Sequence, residues 1–148
     1  MIALLAVPVL AQSVPSGWIV LKDQKKVCQI AVPGDFKPDS SFPGLAKGPG
    51  DTLEVMVLSS PGMVKPINET VAKMMGIDKF VSNTDKFVLY EKKQETVKDL
   101  QAPKGRLMTG WTAKAPRTPG SCQTDITVIP GGQEDLVKKI AETMGPAK

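Results

Sequence analysis

A series of short apolar runs, most of them ended by proline or glycine, limits what this chain can fold into. Residues 18–22, 25–32 and 53–58 are rich in branched side chains, and residues 106–114 and 121–129 repeat the pattern. Runs of this length predict strands, and two of them separated by a short polar turn predict a hairpin. We therefore expect a largely antiparallel sheet that begins with a hairpin of residues 18–22 and 25–32.

Two further segments have the period of an amphipathic helix, residues 66–75 and 133–144. The apolar stripe of the first consists of Ile67, Val71, Met74 and Met75. The stripe of the second consists of Leu136, Val137, Ile140 and Met144. Apolar faces of helices pack against a sheet, so we expect both stripes, methionines included, to fill the core.

The order of these elements is strands, helix, strands, helix, and it predicts a mixed α+β fold. Residues 79–81 and 85–92 supply the strands between the helices. If the helices take opposite faces of the sheet, the result is an α/β/α sandwich. We expect residues 12–148 to form one domain, in which residues 35–51 make an unusually long loop of the kind that is often functional.

The N-terminus has the character of an export signal. Residues 2–11 are apolar and uncharged, and they are too few to span a bilayer, which takes about 20 residues. They fit the apolar core of a secretory signal cleaved after Ala11. The basic residues that normally precede such a core are missing, so we expect the signal, residues 1–11, to be incomplete. The alternative is a buried N-terminal strand or helix, which Pro8 disfavours. Export would place the protein in the periplasm or outside the cell.

The two cysteines, Cys28 and Cys122, lie in predicted strands near opposite ends of the domain. Alternate side chains of a strand share a face, so Cys28 lies with Ile30 and Val32, and Cys122 lies with Ile126 and Val128. Both thiols should therefore point inward. If the two strands are neighbours, a disulfide can form, and closing so long a loop would stabilise the fold by about 4–5 kcal/mol. An exported chain with an even number of cysteines favours the bridge, so we expect the Cys28–Cys122 disulfide; the alternative is two separate buried thiols.

Composition argues against several functions. The chain has no histidine, which excludes the Ser-His-Asp and Cys-His catalytic arrangements and the usual transition-metal sites. It has few aromatic residues, and lysine dominates its net charge of +4, so we expect no nucleic-acid binding. Asp35, Asp39 and Asp51 do not have the spacing of an EF-hand calcium loop, and we expect no metal and no cofactor.

The chain resembles the Mog1/PsbP-like family in two places. One is the early segment CQIAVPGDFKP, a strand that runs into a Pro-Gly loop, and the other is the strand SCQTDITVI followed by the helix EDLVKKIAETM. The resemblance implies an antiparallel sheet with helices on both faces. It also implies an accessory role, since the PsbP branch stabilises a membrane protein complex and the Mog1 branch binds a small GTPase. No binding residue of the family can be carried over to this sequence.

The candidate binding residues are Arg106, Lys114 and Arg117, which lie around the connection between the last two strands and could meet an acidic partner or an anionic membrane. Ordinary solubilising charge is the alternative. We expect a non-enzymatic, exported accessory protein that acts through protein–protein contact in the bacterial envelope. The alternatives are a small-molecule or lipid-binding module, with its ligand between the long loop and the sheet, and an enzyme that uses carboxylates or lysine.

Overall fold

The computed structural model describes residues 13–96, 107–129 and 132–148, so the predicted signal of residues 1–11 lies outside the described residues. The strands are β1 (Trp18–Lys22), β2 (Cys28–Pro33), β3 (Lys37–Pro38), β4 (Leu45–Lys47), β5 (Leu53–Ser60), β6 (Ile77–Asn83), β7 (Val88–Lys92), β8 (Glu95–Thr96), β9 (Leu107–Pro116), β10 (Ser121–Val128) and β11 (Gly145–Pro146). The helices are α1 (Glu69–Met75) and α2 (Glu134–Ala141).

The strands form two sheets. The larger has the order β3-β4-β5-β10-β9-β7-β6, with β8 paired to β9, and the smaller has the order β1-β2-β11. Every strand pair in the described ranges is antiparallel. The described part of the chain is therefore a mostly antiparallel β protein with two helices, which agrees with the predicted mixed α+β class.

The centre of the larger sheet is formed by β5, β10 and β9. Ile126 of β10 pairs with Val55 on one side and with Trp111 on the other, and all three side chains are buried. The opposite face is more open, because Glu54 is exposed and Met56 is only half-buried. The core therefore covers one face of β5, and the face that carries Glu54 is more accessible to solvent.

The main core lies between one face of the larger sheet, the smaller sheet and α2. It contains Ile30 of β2, Val57 of β5 and the side chains of Val137 and Ile140, which confirms the predicted stripe of the second helix. The Thr143 hydroxyl, just beyond α2, accepts a hydrogen bond from the Ala31 backbone N–H at 2.8 Å. This bond fixes the end of α2 on the smaller sheet.

A second, smaller cluster lies on the other face of β7. It consists of Val64, Val88 and Tyr90, against which Ile67 and Phe80 pack. Leu89, which lies between Val88 and Tyr90 in β7, belongs to the main core. Because alternate side chains of a strand point to opposite faces, the two clusters lie on opposite sides of β7.

The predicted disulfide is present, and it joins the two sheets. Cys28 of β2 and Cys122 of β10 are both fully buried, with their Cα atoms 5.7 Å apart. The two strands are not neighbours in one sheet, the arrangement on which we based the prediction; they face each other across the core. Asp23 shapes the turn before Cys28, since its carboxylate accepts the N–H groups of Val27 and Cys28, each at 2.8 Å.

Residues 35–51 contain more regular structure than their composition indicated. β3 and β4 form a short antiparallel pair, β4 adds to the edge of β5, and a single 3-10 turn, Pro49–Asp51, follows. These strands have two and three residues, too few for an alternating pattern to be recognised in the sequence. Their pairing with β5 is a tertiary contact.

Candidate functional site

Four of the exposed large apolar side chains lie on α1 and on the segment before it. Met74 is 82% exposed and Met63 is 75% exposed, while Val71 and Met75 are each 40% exposed. We call Met63, Val71, Met74 and Met75 the α1 surface. Exposed apolar side chains that occur singly are ordinary, whereas four on one short helix and its lead make this surface a candidate for binding.

The prediction that Met74 and Met75 fill the core was wrong. Within α1 only Ala72 is buried. The space against β7 is already occupied by Val64 and Ile67 from the segment that precedes the helix. The predicted packing is correct for Met144, which is 3% exposed and belongs to the main core.

Three polar contacts hold α1 and its lead in place. The Asn68 side chain accepts the Val71 N–H at 2.9 Å and caps the helix, which therefore begins at Glu69 rather than at the predicted residue 66. Gly76 ends the helix in the left-handed conformation, where a residue without a Cβ is favoured. Asn83 of β6 accepts the Ile67 N–H and donates to the Ile67 carbonyl oxygen, both at 2.8 Å.

A groove with a volume of about 190 Å³ lies beside α1. It is lined by Met63, Lys65, Pro66, Ile67, Asn68, Val71, Val88 and Lys114. We call it the lysine groove, because Lys65 and Lys114 are the charged residues of its lining. Met63 and Val71 belong to both the groove and the α1 surface, so the two are continuous.

Of the three predicted binding residues, one lines the lysine groove, one lies in a turn and one lies outside the described residues. Lys114 of β9 lines the lysine groove, next to Val88, with which it is paired across the strands. Arg117 lies in the turn between β9 and β10, where its N–H donates to the Gly120 carbonyl oxygen at 3.2 Å, and it is not part of the groove lining. Arg106 lies outside the described residues.

Sequence reasoning missed Met63 and Lys65, because they precede the helix in a stretch without periodicity. It also assigned Ile67 and Val71 to the core as members of an apolar stripe. The stripe is real, but nothing in the sequence separates the half-buried Ile67 from the more exposed Val71. One feature of the sequence could have pointed to Lys65: it lies immediately before Pro66, the residue at which the helix was expected to begin.

The long loop forms a second, wider cavity of about 560 Å³, which we call the loop cleft. It is lined by Asp35, Lys37, Pro38, Asp39, Ser40, Ser41, Lys47, Gly48, Pro49 and Gly50. Hydrogen bonds from the Ser41 hydroxyl and N–H and from the Phe42 N–H lower the pKa of Asp39. This carboxylate therefore shapes the loop itself, and the side chain of Asp51 lies outside the described part of the structure.

A third cavity of about 300 Å³ lies on the more open face of the larger sheet, over β9 and β10. In its lining, the Thr112 hydroxyl donates to the Asp125 carboxylate at 3.0 Å. The amide of Gln123, which is not part of the lining, donates to the same oxygen at 3.2 Å. Tyr90 pairs with Thr112 across the strands, and burial raises the pKa of its hydroxyl. Asp125 is thus engaged by neighbours in its own sheet.

The described ranges contain neither a cluster of metal-ligating side chains nor a membrane-spanning helix. No three His, Cys, Asp or Glu side chains lie close enough together there to hold a metal ion. Neither α1 nor α2, nor any other helix in the described part of the chain, has the length and apolar character needed to cross a membrane. The disulfide is compatible with an exported protein, since such bonds persist in oxidising compartments.

No protein-family model and no curated protein matches the chain. Among solved structures, a protein of Bacteroides thetaiotaomicron VPI-5482 is similar in fold, with a TM-score of 0.56 and 12% sequence identity. The match covers 87% of this chain and 48% of that chain, so this chain spans about half the length of the solved protein. At this identity the similarity concerns the fold alone.

Proposed function

We propose that this chain is an exported, non-enzymatic binding protein that acts through protein–protein contact in the bacterial envelope. The observation that carries the proposal is the α1 surface, a helix stripe that faces solvent rather than the core. Methionine suits such a surface, because its flexible thioether side chain adapts to the shape of a partner.

The size of the α1 surface fits a modest contact. Complete burial of one Met or Val side chain stabilises by about 1.5–3 kcal/mol, and these four are partly covered already, so we expect about 4–7 kcal/mol from all of them. Association costs about 4–15 kcal/mol in lost freedom. The apolar contact is therefore too small to hold a partner alone, and polar groups beside it must contribute.

Export is supported by the apolar segment of residues 2–11 and by the buried disulfide between Cys28 and Cys122. A disulfide that closes a sequence separation of 94 residues stabilises a protein only where thiols stay oxidised, as in the periplasm or outside the cell. We propose that residues 1–11 are part of the export signal and that the mature protein begins at Gln12.

We also propose that the fold is an α/β/α sandwich of the Mog1/PsbP-like kind. Two observations support it: α2 packs into the main core, and the lead to α1 packs into the smaller cluster on the other face of β7. In that arrangement α1 occupies the outside of the second layer. An accessory role of the kind found in that family agrees with an exposed helix as the contact surface.

The test is photo-crosslinking in the envelope of the native host. Benzoylphenylalanine replaces Met74 in the full-length protein, and the matched control carries it in place of Asp135, an exposed position of α2. We expect a discrete protein adduct from position 74 and none from position 135. Equal adducts from both positions, or none from position 74, would contradict the proposal, and an adduct to lipid would assign the surface to the membrane.

A second candidate function, small-molecule binding, is favoured by the loop cleft. Its volume of about 560 Å³ lies in the range of about 300–1,000 Å³ that is usual for ligand sites. Its lining is polar and holds two lysines, Lys37 and Lys47, and two aspartates, Asp35 and Asp39, so a soluble charged metabolite fits it better than a lipid. A screen of such metabolites by thermal unfolding tests it, and the control is a Lys37→Ala/Lys47→Ala variant, in which any stabilisation should disappear.

A further inference from the structure

We infer that the partner inserts an apolar side chain into the lysine groove and places carboxylates against Lys65 and Lys114. This inference rests on the proposed function and gives the chemistry of the partner: a protein segment in which an apolar residue is flanked by Asp or Glu. The groove, its charge and its rigidity support it separately.

The shape of the groove fits one side chain. Its volume of about 190 Å³ is below the range of about 300–1,000 Å³ of small-molecule sites. The apolar residues of its walls include Met63, Ile67, Val71 and Val88. A concave apolar site of this size takes an anchor residue, the commonest origin of affinity in protein interfaces.

The charge of the groove determines what must flank that anchor. Its lining holds two lysines and no acidic residue. Within the described ranges, neither Lys65 nor Lys114 has a carboxylate within the 4.0 Å of a salt bridge. Carboxylates of a partner would meet both ammonium groups, which improves the rate and the specificity of association.

The groove is preformed. Asn83 holds Ile67 by two hydrogen bonds of 2.8 Å, and Asn68 caps α1 at Val71, so two of the wall residues are fixed before any partner arrives. Lys114 extends from the interior of a ten-residue strand. A preformed site loses little conformational freedom on binding.

The same observations favour a protein over a membrane. Helices that lie in a membrane interface carry Trp, Phe or Leu on their apolar face and many cations on the other. α1 has two turns, its exposed apolar residues are methionine and valine, and its charged residues are one acid and one base, Glu69 and Lys73. A concave site beside such a helix suits a side chain, whereas a lipid surface needs no groove.

The experiment places benzoylphenylalanine at Val71, in the groove, and identifies the crosslinked segment by mass spectrometry. It is repeated in a Lys65→Glu/Lys114→Glu variant and in a Lys65→Arg/Lys114→Arg variant that keeps the charge. We expect a segment with at least two carboxylates beside the crosslinked residue. We expect the yield to fall about tenfold or more with glutamate, while arginine retains most of it.

An adduct yield that is unchanged by the glutamates overturns the inference, and so does a crosslinked segment without acidic residues, or an adduct to lipid. A protein adduct from position 74 with none from position 71 also overturns it, because the partner then misses the groove. Whenever one of these results comes with a protein adduct, the proposed function is still supported. If neither position gives a protein adduct, the proposed function fails as well. Unchanged thermal unfolding of both lysine variants shows that the fold is intact.

Discussion

The two helices have the same kind of apolar pattern but differ in how far that pattern is buried. Each carries an apolar stripe at helical spacing, and for both we predicted burial. In α2 the residues Val137, Ile140 and Ala141 are completely buried, whereas in α1 only Ala72 is buried and Met74 is almost fully exposed. An apolar stripe therefore predicts a helix, but it does not determine whether the protein or a partner covers it.

The difference has a structural cause. α2 follows the last strand of the larger sheet and lies over a core that the smaller sheet and the disulfide already close. α1 stands near β6, at the edge of the larger sheet, and the four-residue span from Val64 to Ile67 fills the available space before the helix begins. The edge of a sheet offers one neighbouring strand, so little apolar surface remains for α1 to cover.

The largest expected effect concerns the Cys28–Cys122 disulfide, which belongs to the same core as α2. Replacing both cysteines, Cys28→Ala/Cys122→Ala, removes a crosslink over a sequence separation of 94 residues. The free energy of unfolding should fall by about 4 kcal/mol, because the unfolded chain regains loop freedom. Urea unfolding followed by tryptophan fluorescence measures it, with the reduced wild type as a second comparison. An unchanged midpoint would mean that the disulfide does not contribute to the stability of the core that contains α2.

A matched pair of truncations tests the comparison directly. Ile140→Ala in α2 should lower the free energy of unfolding by about 3 kcal/mol, because Ile140 is completely buried and its removal leaves a cavity. Met74→Ala in α1 should change it by less than about 0.5 kcal/mol, because that side chain is mostly in solvent. If the Met74 variant is destabilised as strongly as the Ile140 variant, α1 is part of the core and our comparison is wrong.

A smaller effect is expected from the hydrogen bond that anchors α2. Thr143→Val keeps the shape of the side chain but leaves the buried Ala31 N–H without its acceptor, which lies at 2.8 Å. We expect a loss of about 1–2 kcal/mol in the free energy of unfolding. Thr70→Val, at an exposed position of α1, is the control and should stay within about 0.5 kcal/mol of wild type. Equal losses in the two variants would contradict the anchoring role of the Thr143 hydroxyl.

The smallest effect concerns Glu91 of β7, whose pKa is raised above 4.5 by burial, an effect that the nearby Lys79 partly offsets. A carboxyl group with a raised pKa in the folded state binds protons more tightly there than in the unfolded chain. Wild-type stability should therefore decline slightly as pH rises from the ordinary glutamate value through the folded pKa. Glu91→Gln should remove this decline when urea unfolding is compared across that range. A wild-type profile identical to that of the variant would contradict the assignment.

Much of the fold could be predicted from residue patterns that report on local geometry. The hairpin of β1 and β2, the strands β5, β9 and β10, and both helices agree with the alternation or the helical period of their side chains. The start of α1 was placed three residues too early, because Pro66 suits a first turn but Asn68 is the residue that caps the helix.

The candidate site was predictable only in part. Lys114 was selected for its charge near a strand connection, and it does line the lysine groove, but Lys65, the other lysine of the lining, lies 49 positions away in the sequence. Arg117 was selected for the same reason as Lys114, yet it lies in a turn outside the groove lining. The charge of a residue does not indicate which residues lie near it in space. Lys114 reaches the groove because the register of β7 and β9 places it opposite Val88, and the sequence did not show that register.

The sequence alone therefore determined the longer strands and the two helices, the inward direction of Cys28 and Cys122, and the lack of any histidine for a catalytic site. These properties follow from side-chain periodicity and composition, which are local. Only the tertiary structure decided that the cysteines join two different sheets, that α2 is buried and α1 is exposed, and that Lys65 and Lys114 flank one groove. Those properties depend on which distant segments fill the space around each element, and a periodic pattern carries no information about its neighbours.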